Sequence, residues 1–326
     1  MSSSGRELGL ALQTNKLPGD YAALARRAED AGFDVVTVFN DLWFQPALPA
    51  LLEIAAATER VRVGPSCLNP FTVHPVELAG QVAALDRTSA GRAFLGLVAG
   101  AWLDSLGVDV SSPLTTVREA WEVVRRLLAG DDSGFSGTRF SLAPGDRLHY
   151  PVVRPQVPLL VGTWAPRLAA FAGEAADELK VGGSANPALV AQMRTWAGDR
   201  VGIVLGAVTV VDDDGARART AARREVAMYV DVVGALDPTT ALDPELLRRI
   251  GVHVAAGDHA AAGALIPDDL LDRFAFAGTP ADVAAQAEAV LDAGALRVDF
   301  GTPHGIDERR GVELLCTEVL PRLRLS

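Results

Sequence analysis

Short apolar runs alternate with helix-patterned stretches along almost the whole chain, and this rhythm limits the possible folds more than any other feature. The runs read LGLAL, VVTVF, VRVGPS, AFLGLV, PLLVGT, ELKVGG, VGIVLGAVTVV and LRVDFGT. They are rich in Val and Leu and bounded by Gly, Pro, Asn or Asp, as strands are. Between the third and fourth, residues 76–89 place Val76, Leu78, Ala79, Val82, Ala83 and Leu85 on one side of a helix. Pro75 suits its first position, where a missing N–H costs nothing. The stretches 114–129, 188–196, 281–293 and 308–320 also read as helices. Strand-helix alternation predicts a parallel sheet covered on both faces, which fits runs that are almost continuously apolar. Eight such units spell an α/β fold, a (β/α)8 TIM barrel. The competing architecture is an open doubly wound sheet, but no GxGxxG follows the first run. Two segments break the rhythm. Residues 131–157 read as a β-hairpin excursion. Residues 215–271 read as a helical insertion before the last strand, with breaks at Asp237-Pro238, Gly251 and Pro267. The whole of 1–326 is expected to be a single domain, with 1–7 a disordered tail.

Composition removes several functional classes. A net charge of −11 disfavours nucleic acid, whose phosphates need a basic surface, and disfavours an anionic membrane surface. No run of about 18 apolar residues suggests a membrane span, and the polar MSSSGRE start lacks a signal-peptide core. Cys67 and Cys316 are too far apart in sequence for a disulfide framework or metal spacing. A cytoplasmic protein is expected, acting on a small molecule and holding no metal.

In barrels of this kind the site lies at the C-terminal ends of the strands. After the second run, Asp41 precedes Trp43 and Phe44; the group either grips a planar ring or caps and packs the next segment. Ser66 and Cys67 follow the third run, with Asn69 and Thr72 as polar groups on the same loop. Cys67 reads as a small buried residue rather than a nucleophile. After the fourth run, the bare backbone at Ala99, Gly100 and Ala101 allows a ligand to approach. Asp104 is either a helix cap or a hydrogen-bond partner. The turns Gly162-Thr163-Trp164-Ala165-Pro166-Arg167 and Gly182-Gly183-Ser184-Ala185-Asn186-Pro187 precede helices. Their free N–H groups favour an anion such as phosphate, with helix capping as the plainer reading. His304, at the end of the eighth run, either handles a proton or satisfies loop carbonyls. His74 is equally ambiguous.

The stretch GPSCLNPFTVHPVELAGQVAALDRTSAGRAFLGL with AGAWLDSLG, together with GTWAP, GGSANP and GTPHG, resembles the bacterial luciferase-like flavin enzymes. It most resembles their branch using the deazaflavin coenzyme F420, the methylenetetrahydromethanopterin reductase type. That resemblance implies a ring lying beside Asp41 and a non-proline cis peptide at Ser66–Cys67 behind it. It also implies cofactor contacts at Asn69, Ala99, Gly100, Asp104, Gly162, Thr163, Trp164, Gly182, Gly183 and Ser184, and a homodimer. The chain departs from the pattern where some relatives carry proton-handling groups: Leu42 replaces a histidine, Ala101 a glutamate and Ala11 another glutamate, with Gln13 nearby. Ala185 stands where relatives acting on sugar phosphates have a lysine, which speaks against such a substrate.

The implied activity is hydride transfer between C5 of the deazaflavin and a small organic substrate, reducing an activated C=C or C=N bond. Asp41 and His304 are the catalytic candidates. An FMN-dependent monooxygenase of the same fold is the first alternative, but it needs a firmer phosphate clamp than Arg167 alone. A non-catalytic flavin-binding protein and an unrelated barrel, such as a lyase, are the others.

Overall fold

The structure is a computed structural model. It describes residues 5–101 and 103–324, without the side chains of Asp104 and Arg324. The first half runs β1 (Glu7–Leu12), α1 (Asp20–Ala31), β2 (Val35–Val38), α2 (Ala47–Ala57), β3 (Arg62–Pro65), α3 (Pro75–Thr88), β4 (Leu95–Val98) and α4 (Pro113–Ala129). The excursion holds β5 (Phe135–Ser136) and β6 (Ser141–Leu142), paired antiparallel. Then come β7 (Leu159–Gly162), α5 (Pro166–Ala175), β8 (Glu178–Gly182), α6 (Ala188–Ala197) and β9 (Gly202–Val211). The insertion is helical: α7 (Gly215–Val233), a 3-10 turn at Gly234–Leu236, α8 (Pro244–Ala255), α9 (His259–Ala264) and α10 (Asp268–Phe274). The chain closes with β10 (Ala275–Gly278), α11 (Pro280–Asp292), β11 (Arg297–His304), α12 (Glu308–Leu314), a π-helical turn at Leu315–Val319 and α13 (Leu320–Arg324).

The strands hydrogen-bond in the order β3-β2-β1-β11-β9-β8-β7-β4, all parallel. Parallel bridges Val63↔Ala93 and Leu68↔Leu97 bring β3 and the loop after it to β4 and complete the barrel. The eight units expected from the sequence are these strands. A further strand, β10, was not expected. It pairs with the far half of β9, Ala275↔Val208 to Gly278↔Val211. Its four residues follow directly on α10, and β9 is long enough to serve both β11 and β10.

Three other expectations need correction. Gly251 does not break a helix: it lies inside α8, where an added Cβ would come 2.6 Å from Asp231 Oδ1 on α7. Close approach of α7 and α8 accounts for it. The disordered tail expected over 1–7 does not extend to Arg6 and Glu7, because Glu7 starts β1 and Arg6 ion-pairs with Glu288 and Asp292 on α11. Residues 1–4 lie outside the described residues. Finally, the helix expected over 308–320 is interrupted by its π turn.

Side-chain alternation along the strands divides the core in two. On β11, Val298 and Phe300 join the apolar layer between strands and helices, whereas Arg297 and Asp299 point the other way. On β8, Leu179 and Val181 alternate with Glu178 and Lys180 in the same manner. The barrel interior holds a small apolar plug, Val35, Phe94 and Leu160 with Cys67 beside it, and next to it a ladder of buried charge. Lys180 Nζ lies 2.6 Å from Asp299 Oδ2, Arg297 Nε 2.8 Å from Asp299 Oδ1, Arg297 Nη1 2.6 Å from Glu178 Oε2 and Arg62 Nη1 2.8 Å from Glu178 Oε1. Arg62 also pairs with Glu7. Space for this ladder comes from missing side chains: a Cβ on Gly9 would stand 2.0 Å from Asp299 Oδ1, and one on Gly206 3.0 Å from Lys180 Cε.

Candidate active site

A cavity of about 790 Å³ opens at the C-terminal ends of the strands, within the usual size range of small-molecule sites. The strand-end loops and the first part of the insertion form its wall. Asp41, Ser66, Cys67, Asn69, Ala99, Gly100, Gly162, Thr163, Trp164, Gly182 and Gly183 all reach it. The two glycine turns meet there, because Trp164 donates its indole N–H to the Gly182 carbonyl at 3.0 Å.

Asp41 is not the cap of the next helix. Asn40 fills that role, accepting from the Ala47 N–H at 2.9 Å. Asp41 is half-buried on the cavity wall, and Gln13 donates to its Oδ2 at 2.8 Å. Burial holds its carboxyl above the usual range, while the Gln13 hydrogen bond and the Lys180 charge pull the other way. The aromatics that follow do not grip a ring. Trp43 is 82% exposed and Phe44 47% exposed, and neither lines the cavity. Phe39, Trp164 and Trp196 supply the aromatic wall instead.

Ser66 and Cys67 form the floor, and the peptide bond between them is cis. Lys180 donates to Ser66 Oγ at 2.7 Å. Burial pushes the Cys67 thiol up to about 12, so it is not a ready nucleophile. Asn69 folds its amide into its own loop, accepting from the Phe71 N–H at 2.8 Å. Gly100, at φ +86°, has no room for a side chain: a Cβ there would come 2.0 Å from Asn69 Nδ2.

The remaining sequence candidates lie elsewhere. His304 is fully buried and off the cavity wall. Its Nε2 contacts the Ala11 carbonyl at 3.1 Å and the Phe300 carbonyl at 3.3 Å, and its Nδ1 lies 3.6 Å from Glu308. His304 and Lys16 hold the Glu308 carboxyl at about 2 against the opposing effect of burial. Ser184 is also fully buried, donating to the Arg273 carbonyl at 3.2 Å and accepting from the Asn186 N–H at 3.1 Å. The anion reading of that turn meets the same objection. The N–H groups of Gly183 and Ser184 go to the Gly206 carbonyl, and that of Ala185 goes to the Arg273 carbonyl. Together with Asn186, every donor from 183 to 186 is engaged. Arg167 is exposed and away from the cavity. Asp104 belongs to the 3-10 turn Leu103–Leu106, but its side chain lies outside the described residues. His74 caps α3, accepting from the Val76 N–H at 3.2 Å.

Lys180, Asp299 and Tyr229 line the cavity but were missed from sequence. The first two sit inside strands that read as plain core, and the third lies on the insertion helix α7. Burial opposes ionisation of Asp299, but Arg297 and Lys180 outweigh it and hold the carboxyl below its usual range. Among the described residues, no cluster of potential metal ligands occurs, and no helix is long and apolar enough to cross a membrane.

Comparison with known proteins agrees with this geometry. The chain is 29% identical to a 5,10-methylenetetrahydromethanopterin reductase of Methanolobus tindarius, over 92% of its own length and 95% of that protein. It is 26% identical to an F420-dependent glucose-6-phosphate dehydrogenase of Rhodococcus erythropolis, covering 94% of each. The solved coenzyme F420 dependent tetrahydromethanopterin reductase of Methanopyrus kandleri superposes with a TM-score of 0.86 at 27% identity, covering 98% of this chain and 99% of that one. The family model for luciferase-like monooxygenases matches residues 6–297, most of the barrel, and the chain belongs to that family.

Proposed function

We propose that the protein is a coenzyme F420-dependent oxidoreductase passing a hydride between C5 of the deazaflavin and a small organic substrate, in the direction that reduces an activated C=C or C=N bond. The observation that carries this reading is the barrel-mouth cavity, formed by a chain similar over nearly its whole length to proteins named for that cofactor. The cavity fits a flat tricyclic ring. Its wall is largely backbone at Gly100, Gly162, Gly182 and Gly183, and a Cβ on Gly182 would project into open space. Ser66 and Cys67 would support the ring from below, Asn69, Ala99 and Gly100 would flank it, and Thr163 and Trp164 would border its side chain. A bound 5-deazaflavin supplies a hydride donor or acceptor at C5 and reacts poorly with oxygen.

The chain's own part is positioning and proton handling. Hydride transfer needs the reacting atoms within about 3–3.5 Å, so the rigid floor matters more than any single contact. Asp41 is a carboxyl at the mouth whose pKa burial raises, a shift in the direction a general acid needs. Among the described residues, Lys180 is the one cation on the wall, and Asp299 and Ser66 already engage it. The reading includes a homodimer in the cytoplasm, and the exposed Trp43 and Phe44 offer apolar surface for a second copy.

The test is anaerobic mixing of the protein with reduced coenzyme F420 and a panel of enones and iminium ions, following recovery of deazaflavin absorbance. Catalysed oxidation with at least part of the panel is expected. Rates no faster than without protein, across the panel, would reject the reading. His304→Gln is expected to leave that rate within about threefold. It should lower stability by about 1–2 kcal/mol, because buried carbonyls lose their partner; chemical denaturation measures this.

A further inference from the structure

Building on the cofactor reading above, we infer that the insertion side of the cavity takes a neutral, largely apolar substrate whose carbonyl or imine acceptor is hydrogen-bonded by the Tyr229 hydroxyl.

That side of the wall comes from the end of α7 and the turn after it: Tyr229, Val232, Val233, Ala235, Leu236 and Pro238. It is a built surface. Asp237, between two of these residues, is nine-tenths buried or more and accepts from Asn186 Nδ2 at 3.2 Å, while Thr239 Oγ1 lies 2.8 Å from the same amide. Arg273 donates to Thr240 Oγ1 at 3.0 Å. The turn is thus tied to the barrel through the loop that sequence reading took for an anion site.

Charge excludes an anionic substrate. The ionisable side chains on the wall, among the described residues, are Asp41, Cys67, Lys180, Tyr229 and Asp299. Lys180 is bound to Asp299 and Ser66, so an incoming carboxylate or phosphate would face Asp41 with no free cation to offset it. One donor remains. The Tyr229 hydroxyl makes no hydrogen bond among the described residues. Its ring rests on the Gly183 turn, where a Cβ would come within 3.1 Å of Tyr229 Cδ1. Burial, then the Asp41 charge, pushes its pKa up to about 12, so it stays a donor at neutral pH. A substrate offering an acceptor would complete it; one without would cover a half-buried hydroxyl and leave it unpaired.

The experiment measures binding of three probes of similar size by ligand-observed NMR, with and without coenzyme F420: acetophenone, α-methylstyrene and benzoate. The wild type is expected to bind acetophenone at least tenfold more tightly than benzoate. Tyr229→Phe should weaken acetophenone about tenfold and leave α-methylstyrene within twofold. Leu236→Lys, which adds a cation at the rim, should tighten benzoate at least fivefold. Benzoate binding as tight as acetophenone, or a Tyr229→Phe variant that holds acetophenone undiminished, would overturn the inference. Loss of coenzyme F420 binding, read separately from its fluorescence, would strike the cofactor reading and leave these probe ratios as they are.

Discussion

Asp299→Ala is expected to destabilise the fold by about 3–5 kcal/mol, the cost of breaking a buried ion pair from one side. Asp299 joins Lys180 above to Arg297 below and is fully buried. Removing it leaves two cations in the barrel interior facing each other with no counter-charge between them. Neighbouring groups offer little relief, since Glu178 already serves Arg297 and Arg62. Asp299→Asn keeps the volume but not the charge, and should fall between the two proteins. The difference depends on pH with a definite sign. The folded carboxyl titrates below its usual value, so its stabilisation is fully present above the unfolded pKa of about 3.9. It is lost as pH falls through the folded value. Urea denaturation of wild type and Asp299→Asn should therefore show a wide gap at neutral pH that narrows in acid. A gap independent of pH would place the effect in packing instead.

Asp41→Asn is expected to slow hydride transfer by about 100-fold, within the range seen for loss of a positioned general acid, while coenzyme F420 affinity stays within about threefold. The same change should leave stability unchanged or higher at neutral pH. Burial holds the folded Asp41 carboxyl above its usual pKa. Its contribution is thus present in full below the unfolded value of about 3.9 and is lost as pH rises through the folded one. Asn removes that loss and can still accept the Gln13 amide. Single-turnover kinetics with a denaturation curve at neutral and acid pH checks both halves. An undiminished rate would move the proton-handling role away from Asp41.

The barrel was legible because its strands are short, apolar and punctuated, and because Gly and Pro stand where helices begin and end. Much of the mouth was legible too, since a barrel must present its strand-end loops there: Asn40, Asp41 and Leu42, then Ser66, Cys67 and Asn69, then Gly162, Thr163 and Trp164 end or follow strands and reach the cavity. The interior was not. ELKVG and RVDFG read as core strands, yet charges at every second position were a period-two signal that one face carries ions. Pairing Lys180 with Asp299, over a hundred residues away in sequence, needed the closed barrel. Tyr229 lies on an insertion helix whose sequence says nothing about which way it leans. The turn at Ser184 misled because whether its N–H groups are free depends on Gly206 and Arg273, from two other elements. His304 looked like a mouth residue by position, but its side chain turns back between β1 and β11.

The most direct measurement is an equilibrium titration of the purified protein with coenzyme F420 and, separately, with FMN, each followed by its own fluorescence. The proposed cofactor, its ring in a slot walled by glycine backbone, predicts saturable coenzyme F420 binding at least roughly tenfold tighter than FMN, a difference of about 1.4 kcal/mol. Tighter binding of FMN, or no saturable binding of either, would contradict it.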